Sequence, residues 1–412
     1  MLFLGLLTCL VYFKAFNVFF AQDDFILINQ FSQNGILKDI VNVFGPPEVT
    51  HWRPMHNLYF LITGNIFSTN FLGYHLISLV LHIISAFFVF KICLKILHKR
   101  GASFFCSLIY AISPVHFVSL FWISGNATSI AFLFFIISFY LFLEKRPIAL
   151  VFYFLSLLAS EAFFFGSLVF LAWNYIFQKK HNIMSMVSVI GAFVFIIVKL
   201  LFFTPPSTFD AYQIDTSFNI IWTIKYYLLR IFGFAEASGD LGASLILVLI
   251  LIYVFYLLLK SFKEQRDIII FCLVVTIDGL FPFILLKNHA SANYMNLSLF
   301  GFSLLCAIAY LKLGHKTKLI MIAVLTFLFT YGVNLTYNNS WVIKRSLLAK
   351  AYIEKIKEDN VFDNSRILFA GDDLKMSEAY YALGGGEAFR FFFRGKNYKA
   401  CFDVFENCSI LP

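Results

Sequence analysis

The sequence predicts an all-α polytopic membrane protein: a bundle of about eleven transmembrane helices followed by a small extramembrane α/β appendage. Three observations carry that prediction. Hydrophobic residues make up 60% of the chain and charged residues 13%, against about 45–50% and about 25% in soluble domains. Mean hydropathy is +0.81. Apolar runs long enough to cross a bilayer, about 20 residues each, recur from the first residue to position 336. The same numbers exclude a disordered, collagenous, coiled-coil or disulfide-rich secreted chain.

Residues 1–20 form the first span. Lys14 interrupts its apolar run, no basic segment precedes it and no small-x-small cleavage site follows, so a helix is expected rather than a signal peptide. Further runs lie at 71–94, 101–118, 120–143, 147–160, 161–177, 183–204, 241–260, 267–286, 294–312 and 317–336. The pair 147–160 and 161–177 is short and reads as a tight, tilted hairpin around Ser160 and Glu161. Residues 219–234, with Lys225 and Arg230 among aromatics, read as interfacial. Residues 1–336 are thus expected to form the membrane domain. The segment 337–412 is expected as a separate small domain, with a strand from Arg366 toward Gly371 and a turn at Gly384-Gly385-Gly386.

The formal net charge of +9 does not point to nucleic acid. Lys95, Lys99, Arg100, Lys145, Arg146, Lys179, Lys180, Lys260, Lys263, Arg266, Lys312, Lys316 and Lys318 all lie in or beside short loops between apolar runs. Such loops stay cytoplasmic, which places the N-terminus inside, and residues 21–70, 205–240 and the C-terminal segment outside. The expected location is the plasma (inner) membrane, with the lipid bilayer as partner. Of the seven cysteines, Cys9, Cys93, Cys106, Cys272 and Cys306 sit in apolar runs, while Cys401 and Cys408 lie in the polar tail and could pair in an oxidising compartment. No metal-ligand spacing is present.

Polar side chains inside spans are costly and therefore informative. His75, Ser78, His82 and Ser85 recur at helical spacing and form one stripe, either for interhelical hydrogen bonding or as a cavity wall. Asp278, mid-span, is either a partner for a buried base or a structural hydrogen-bonding group. Glu161, at the turn of the short hairpin, calls for water or a cation. Asp23 and Asp24 follow the first span directly. Two adjacent acids there can cap a helix, or one can act as general base on a lipid-anchored substrate.

These segments occur in a recognisable order. After Asp23-Asp24 come Trp52-Arg53-Pro54, then Gly73-Tyr74-His75 with His82, then Ser113-Pro114-Val115-His116 and Trp122-Ile123-Ser124-Gly125-Asn126, then Ser160-Glu161. The order resembles that of the GT-C fold glycosyltransferases, in the protein O-mannosyltransferase-like branch that includes the transmembrane-and-TPR O-mannosyltransferases. The likeness covers residues 15–175 and continues faintly at Asn293-Tyr294.

The resemblance implies an integral-membrane inverting transferase that moves a sugar from a polyprenyl-phosphate carrier to an acceptor hydroxyl on a protein, lipid or glycan. It implies Asp23 as general base with Asp24 in support. Arg53, His75, His82, His116, Glu161 and His289 are implied as donor-phosphate or pocket residues. No cofactor follows, although an acidic pair can work with or without a divalent cation. This chain departs from the family pattern in three places. Ser160 stands where a Lys is common, Ser113 where the motif has its first His, and Asn293 where an Arg precedes the Tyr, leaving His289 or Lys287 to supply positive charge. The competing functional readings are a flippase for lipid-linked glycans and a non-catalytic scaffold of the same fold.

Overall fold

The computed structural model describes residues 1–46, 51–179, 182–203, 215–235, 241–359, 366–369, 373–396, 398–403, 405 and 408. The expected outside segment 205–240 is therefore described only in part, and the turn after Phe369 and the side chain of Lys287 lie outside the described residues.

Almost all the described chain is helical. Seven helices among the described residues are long and apolar enough to cross a membrane: Phe71–Leu97, Arg100–Phe121, Ile123–Leu143, Ile183–Phe202, Leu241–Leu280, Ala292–Leu311 and His315–Asn339. The eleven runs of the sequence reach this number for identifiable reasons. The helices Leu2–Asn17 and Ala149–Ala159 are apolar but short, and the half of the hairpin after Ser160 breaks into a 3-10 turn, an eight-residue helix and a π turn. Leu241–Leu280 contains two of the expected runs, joined across a break at Gln265 (φ −122°, ψ 25°).

In chain order the helices are α1 (Leu2–Tyr12), α2 (Asp23–Ser32), α3 (Ile36–Phe44), α4 (Pro54–Phe67), α5 (Phe71–Leu97), α6 (Arg100–Ile112), α7 (Phe117–Phe121), α8 (Ala127–Leu143), α9 (Ala149–Ala159), α10 (Gly166–Trp173), α11 (Ile183–Phe202), α12 (Ile220–Ile231), α13 (Leu241–Leu280), α14 (Asn296–Leu311), α15 (His315–Asn339), α16 (Trp341–Glu358), α17 (Asp373–Ala382) and α18 (Glu387–Phe392). The Asn70 side chain caps α5 by accepting the Leu72 N–H, and the long helix ends at His98 in a left-handed conformation (φ 53°). Lys145 and Lys179 take the same conformation, so basic residues sit at the turns after α5, α8 and α10.

The apolar windows of the α6–α7 run and of α14 are 94% and 89% buried, against 17% in α11 and α13. The first two therefore form the centre of the bundle and the last two its periphery. Small residues allow the central helices to approach closely. A Cβ on Gly301 of α14 would stand 2.7 Å from the Thr276 nitrogen of α13, so only glycine fits there. Lys312 at the end of α14 pairs with Glu264 beside the Gln265 break. These two points run in opposite directions along the chains, so α14 and the second half of α13 are antiparallel.

The C-terminal segment contains two four-residue strands, β1 (Arg366–Phe369) and β2 (Lys399–Phe402), paired in parallel with Arg366 opposite Lys399. A parallel pair needs a crossover connection, and α17 and α18 lie in it. Phe369 stacks on Phe402 (centroids 4.6 Å apart), and Cys401 forms a disulfide with Cys408. The strand begins at the expected Arg366. Its apolar core continues into the bundle: Phe391 and Phe392 pack on Phe20 and Phe25 beside the acidic pair.

Candidate functional site

The two acids after α1 have opposite environments. Asp24 is 1% exposed. Its Oδ2 accepts the Ala21 N–H (2.9 Å), and its Oδ1 accepts both the N–H (2.8 Å) and the hydroxyl of Ser124. Burial pushes its carboxyl up to about 7, the hydrogen bonds from Ser124 and Ala21 opposing the rise. Asp24 thus clasps α2 to the 122–126 turn. Asp23 makes no such clasp and its side chain opens to solvent. The surrounding protein still crowds it enough to raise its carboxyl above the usual range, with the Arg345 charge pulling the other way. Gln22, immediately before the pair, holds φ 54° and ψ −123°, a conformation rare for a side-chain-bearing residue.

A second cluster forms around Glu161. Arg53, at the start of α4, grips this carboxylate with two parallel bonds, Nε to Oε2 (3.1 Å) and Nη2 to Oε1 (2.9 Å). Lys199, in the last turn of α11, pairs with Oε2 at 2.9 Å. Two histidines complete the group. Burial first, then the Arg53 charge, holds His51 down at about 4, and the same two causes lower His289. Near neutral pH both imidazoles are uncharged, and the Glu161 carboxylate is shared between the Arg53 and Lys199 cations.

The 122–126 turn runs between the clusters. Ser124 holds Asp24, while Asn126 faces His56, one turn after Arg53 on α4. Burial and Arg53 together depress His56 to about 3. Asn126 also donates to Ser78 Oγ (3.1 Å), which lies within hydrogen-bond distance of the Tyr59 hydroxyl (3.0 Å).

The remaining sequence candidates gather elsewhere. The ring nitrogens of His75 lie 2.9 Å from the Leu120 carbonyl and 3.0 Å from that of Val18. His82 and His116 pack 4.3 Å apart by centroid and bond to the carbonyls of Ala111 and Tyr110, each at 2.8 Å. The histidines of the α5 stripe therefore bond to backbone carbonyls of other segments: His82 pairs with His116, and His75 stands apart between Val18 and Leu120. Asp278 is buried on α13. Among the described residues no group of three or more His, Cys, Asp or Glu side chains is placed to hold a metal ion.

Four residues of these clusters carry no role in the sequence reading: His51, Ser124, Lys199 and Arg345. Lys199 had a usable signal, since it is a lone cation near the end of an otherwise apolar run. No family model, curated protein or solved structure matches this chain.

Proposed function

We propose that the chain is an integral-membrane inverting glycosyltransferase that uses a polyprenyl-phosphate-linked sugar and an acceptor hydroxyl. The observation that carries this reading is the division of labour in the acidic pair: Asp24 is locked by three donors, while Asp23 is open to solvent and makes no such clasp. Asp23 takes the proton of the acceptor hydroxyl. The oxygen attacks the anomeric carbon, and the carbon–oxygen bond to phosphate breaks from the opposite face. The phosphate leaves with the electron pair, and its charge is met by Arg53 and Lys199. Lys199 gives Glu161 the neighbouring cation that Ser160 does not supply.

The basic turns after α5, α8 and α10, with the Lys312–Glu264 end, support a cytoplasmic assignment of that face by the positive-inside rule. Asp23, Arg53 and the C-terminal segment then face outward across eleven crossings in the plasma (inner) membrane. The test is release of polyprenyl phosphate from polyprenyl-phosphate hexoses by purified protein, followed by mass spectrometry with a cell-envelope extract as acceptor. Asp23→Asn is expected to lower release by ~100-fold or more, the usual worth of a general base. Release at the wild-type rate would remove Asp23 from the chemistry.

A further inference from the structure

The C-terminal segment meets the acidic loop at Gln22. Arg345 on α16 donates through Nη1 to Gln22 Oε1 (2.9 Å) and is itself gripped by Glu378 on α17 through two 2.8 Å bonds. Its guanidinium lies over the rings of Trp341 (5.2 Å) and Tyr381 (4.8 Å). The Gln22 N–H donates to the Ala382 carbonyl (3.1 Å). Gly384 (φ 59°) sits so close that a Cβ there would stand 2.7 Å from the Gln22 carbonyl oxygen. Three contacts from one segment therefore hold the one strained residue that precedes Asp23. Trp122 closes the other side, donating to the Ala21 carbonyl (3.3 Å) and meeting Trp341 edge to face at 5.2 Å.

We propose that α16, α17 and the Gly384 turn form one wall of the Asp23 site, and that Arg345 is its positioning residue, fixing the Gln22 backbone and setting the charge beside the carboxylate. This deepens the transferase reading and rests on it for the word "site". A loose tail could not do the same work. The aim of Asp23 depends on a backbone conformation, Gln22 at φ 54° and ψ −123°, that persists only where its surroundings enforce it. The wall also supplies two partly exposed aromatic rings, Trp341 and Tyr381, beside the base, where an acceptor would approach. The charged groups that act on Asp23 are Asp24 on its own helix and Arg345 on α16, whose partner Glu378 on α17 also faces Lys344. Glu387 on α18 is engaged by Asn29 and Arg390.

The test replaces Asp23 by cysteine in a Cys9→Ser background and titrates the thiol by its rate of alkylation with neutral iodoacetamide. Adding Arg345→Gln is expected to raise the thiol pKa by about one unit, since a cation has been removed from a thiolate. Adding Glu378→Gln is expected to lower it, because Arg345 loses its counter-charge. Arg345→Lys, which keeps the charge, should restore most of the original titration. A purely structural tail would give no shifts of opposite sign, and identical titrations in all four proteins overturn the proposal. Gel filtration in detergent checks each fold. If Arg345→Gln fails to fold, the Glu378→Gln and Arg345→Lys pair still decides. Wild-type protein that releases no polyprenyl phosphate would sink the transferase reading without touching this titration, so the two failures are separable.

Discussion

Replacing Glu161 by Gln tests the charge balance of the Arg53–Glu161–Lys199 cluster. In the wild-type protein one carboxylate offsets two cations, with Lys199 at 2.9 Å and Arg53 doubly bonded. At an effective dielectric near 20, a unit pair at that separation attracts by roughly 6 kcal/mol. Most of this is offset by desolvation, and the Glu161 side chain is 30% exposed, so a net coupling of ~1–3 kcal/mol is expected for Glu161 with Lys199. Glu161→Gln keeps the shape, removes the anion and leaves two cations facing each other. A full cycle of Glu161→Gln, Lys199→Met and the double variant isolates the coupling. The assay is the thermal midpoint in detergent, read by tryptophan fluorescence, where 1 kcal/mol corresponds to roughly 1 °C for a chain of this length. Glu161→Gln should lower the midpoint by about 1–3 °C, and the double variant should recover part of the loss. Inorganic pyrophosphate, a multiply charged stand-in for a lipid phosphate, should raise the midpoint of Glu161→Gln more than that of the wild type. Strict additivity, with no response to pyrophosphate, would refute both the ion-pair network and its use for phosphate.

Two further outcomes follow from the same physics. Asp24 sits at about 7 in the folded protein, above the usual ~3.9 of a free carboxyl, so its stabilising protonated form is fully present below pH ~4 and lost as pH rises through 7. The thermal midpoint should therefore fall across that window. Ser124→Ala, which deletes the hydroxyl bond but keeps the N–H, should steepen the fall by ~1–2 kcal/mol at pH 8 and matter less at pH 5; a parallel curve would end the assignment. For sidedness, an impermeant maleimide applied to reduced right-side-out vesicles should label Cys401 or Cys408. Labelling only in inverted vesicles would place Asp23 on the cytoplasmic face.

Composition and hydropathy were enough to expect a helical bundle with a small mixed appendage, because both depend on runs of residues rather than on single contacts. The number of long helices was harder to read. The two runs on either side of residue 265 are two helices that meet at a kink, as their sequence suggests, while Ser160 in an extended conformation divides its hairpin into pieces too short to count. At the site, residues adjacent in sequence were legible and residues brought together by packing were not. The acidic pair stands out wherever it lies, but nothing in the local sequence says that Asp24 would be the locked member, since its donors come from Ser124. The histidines of α5 illustrate the converse. Their spacing was visible, and their use was decided by which backbone carbonyls faced them, those of Val18, Leu120 and Ala111.

Charge balance decides between an enzyme-like cluster and a structural ion pair. Had Arg53 and Glu161 stood alone, the bidentate pair would be neutral and complete, with no capacity for another anion. A cation next to Glu161 in sequence, at position 160, would change that, and this chain has a serine there. Lys199 enters instead from α11, a peripheral helix only lightly packed, and reaches the same carboxylate oxygen that receives Arg53 Nε. Two cations then share one carboxylate while His51 and His289 stay neutral beside it. On the proposed transferase reading, such a site would hold a phosphate by sharing Arg53 and Lys199 between Glu161 and the ligand, and would release the product when Glu161 reclaims them. It follows that Lys199, although it belongs to no motif, should weaken donor binding when lost as much as Arg53 does.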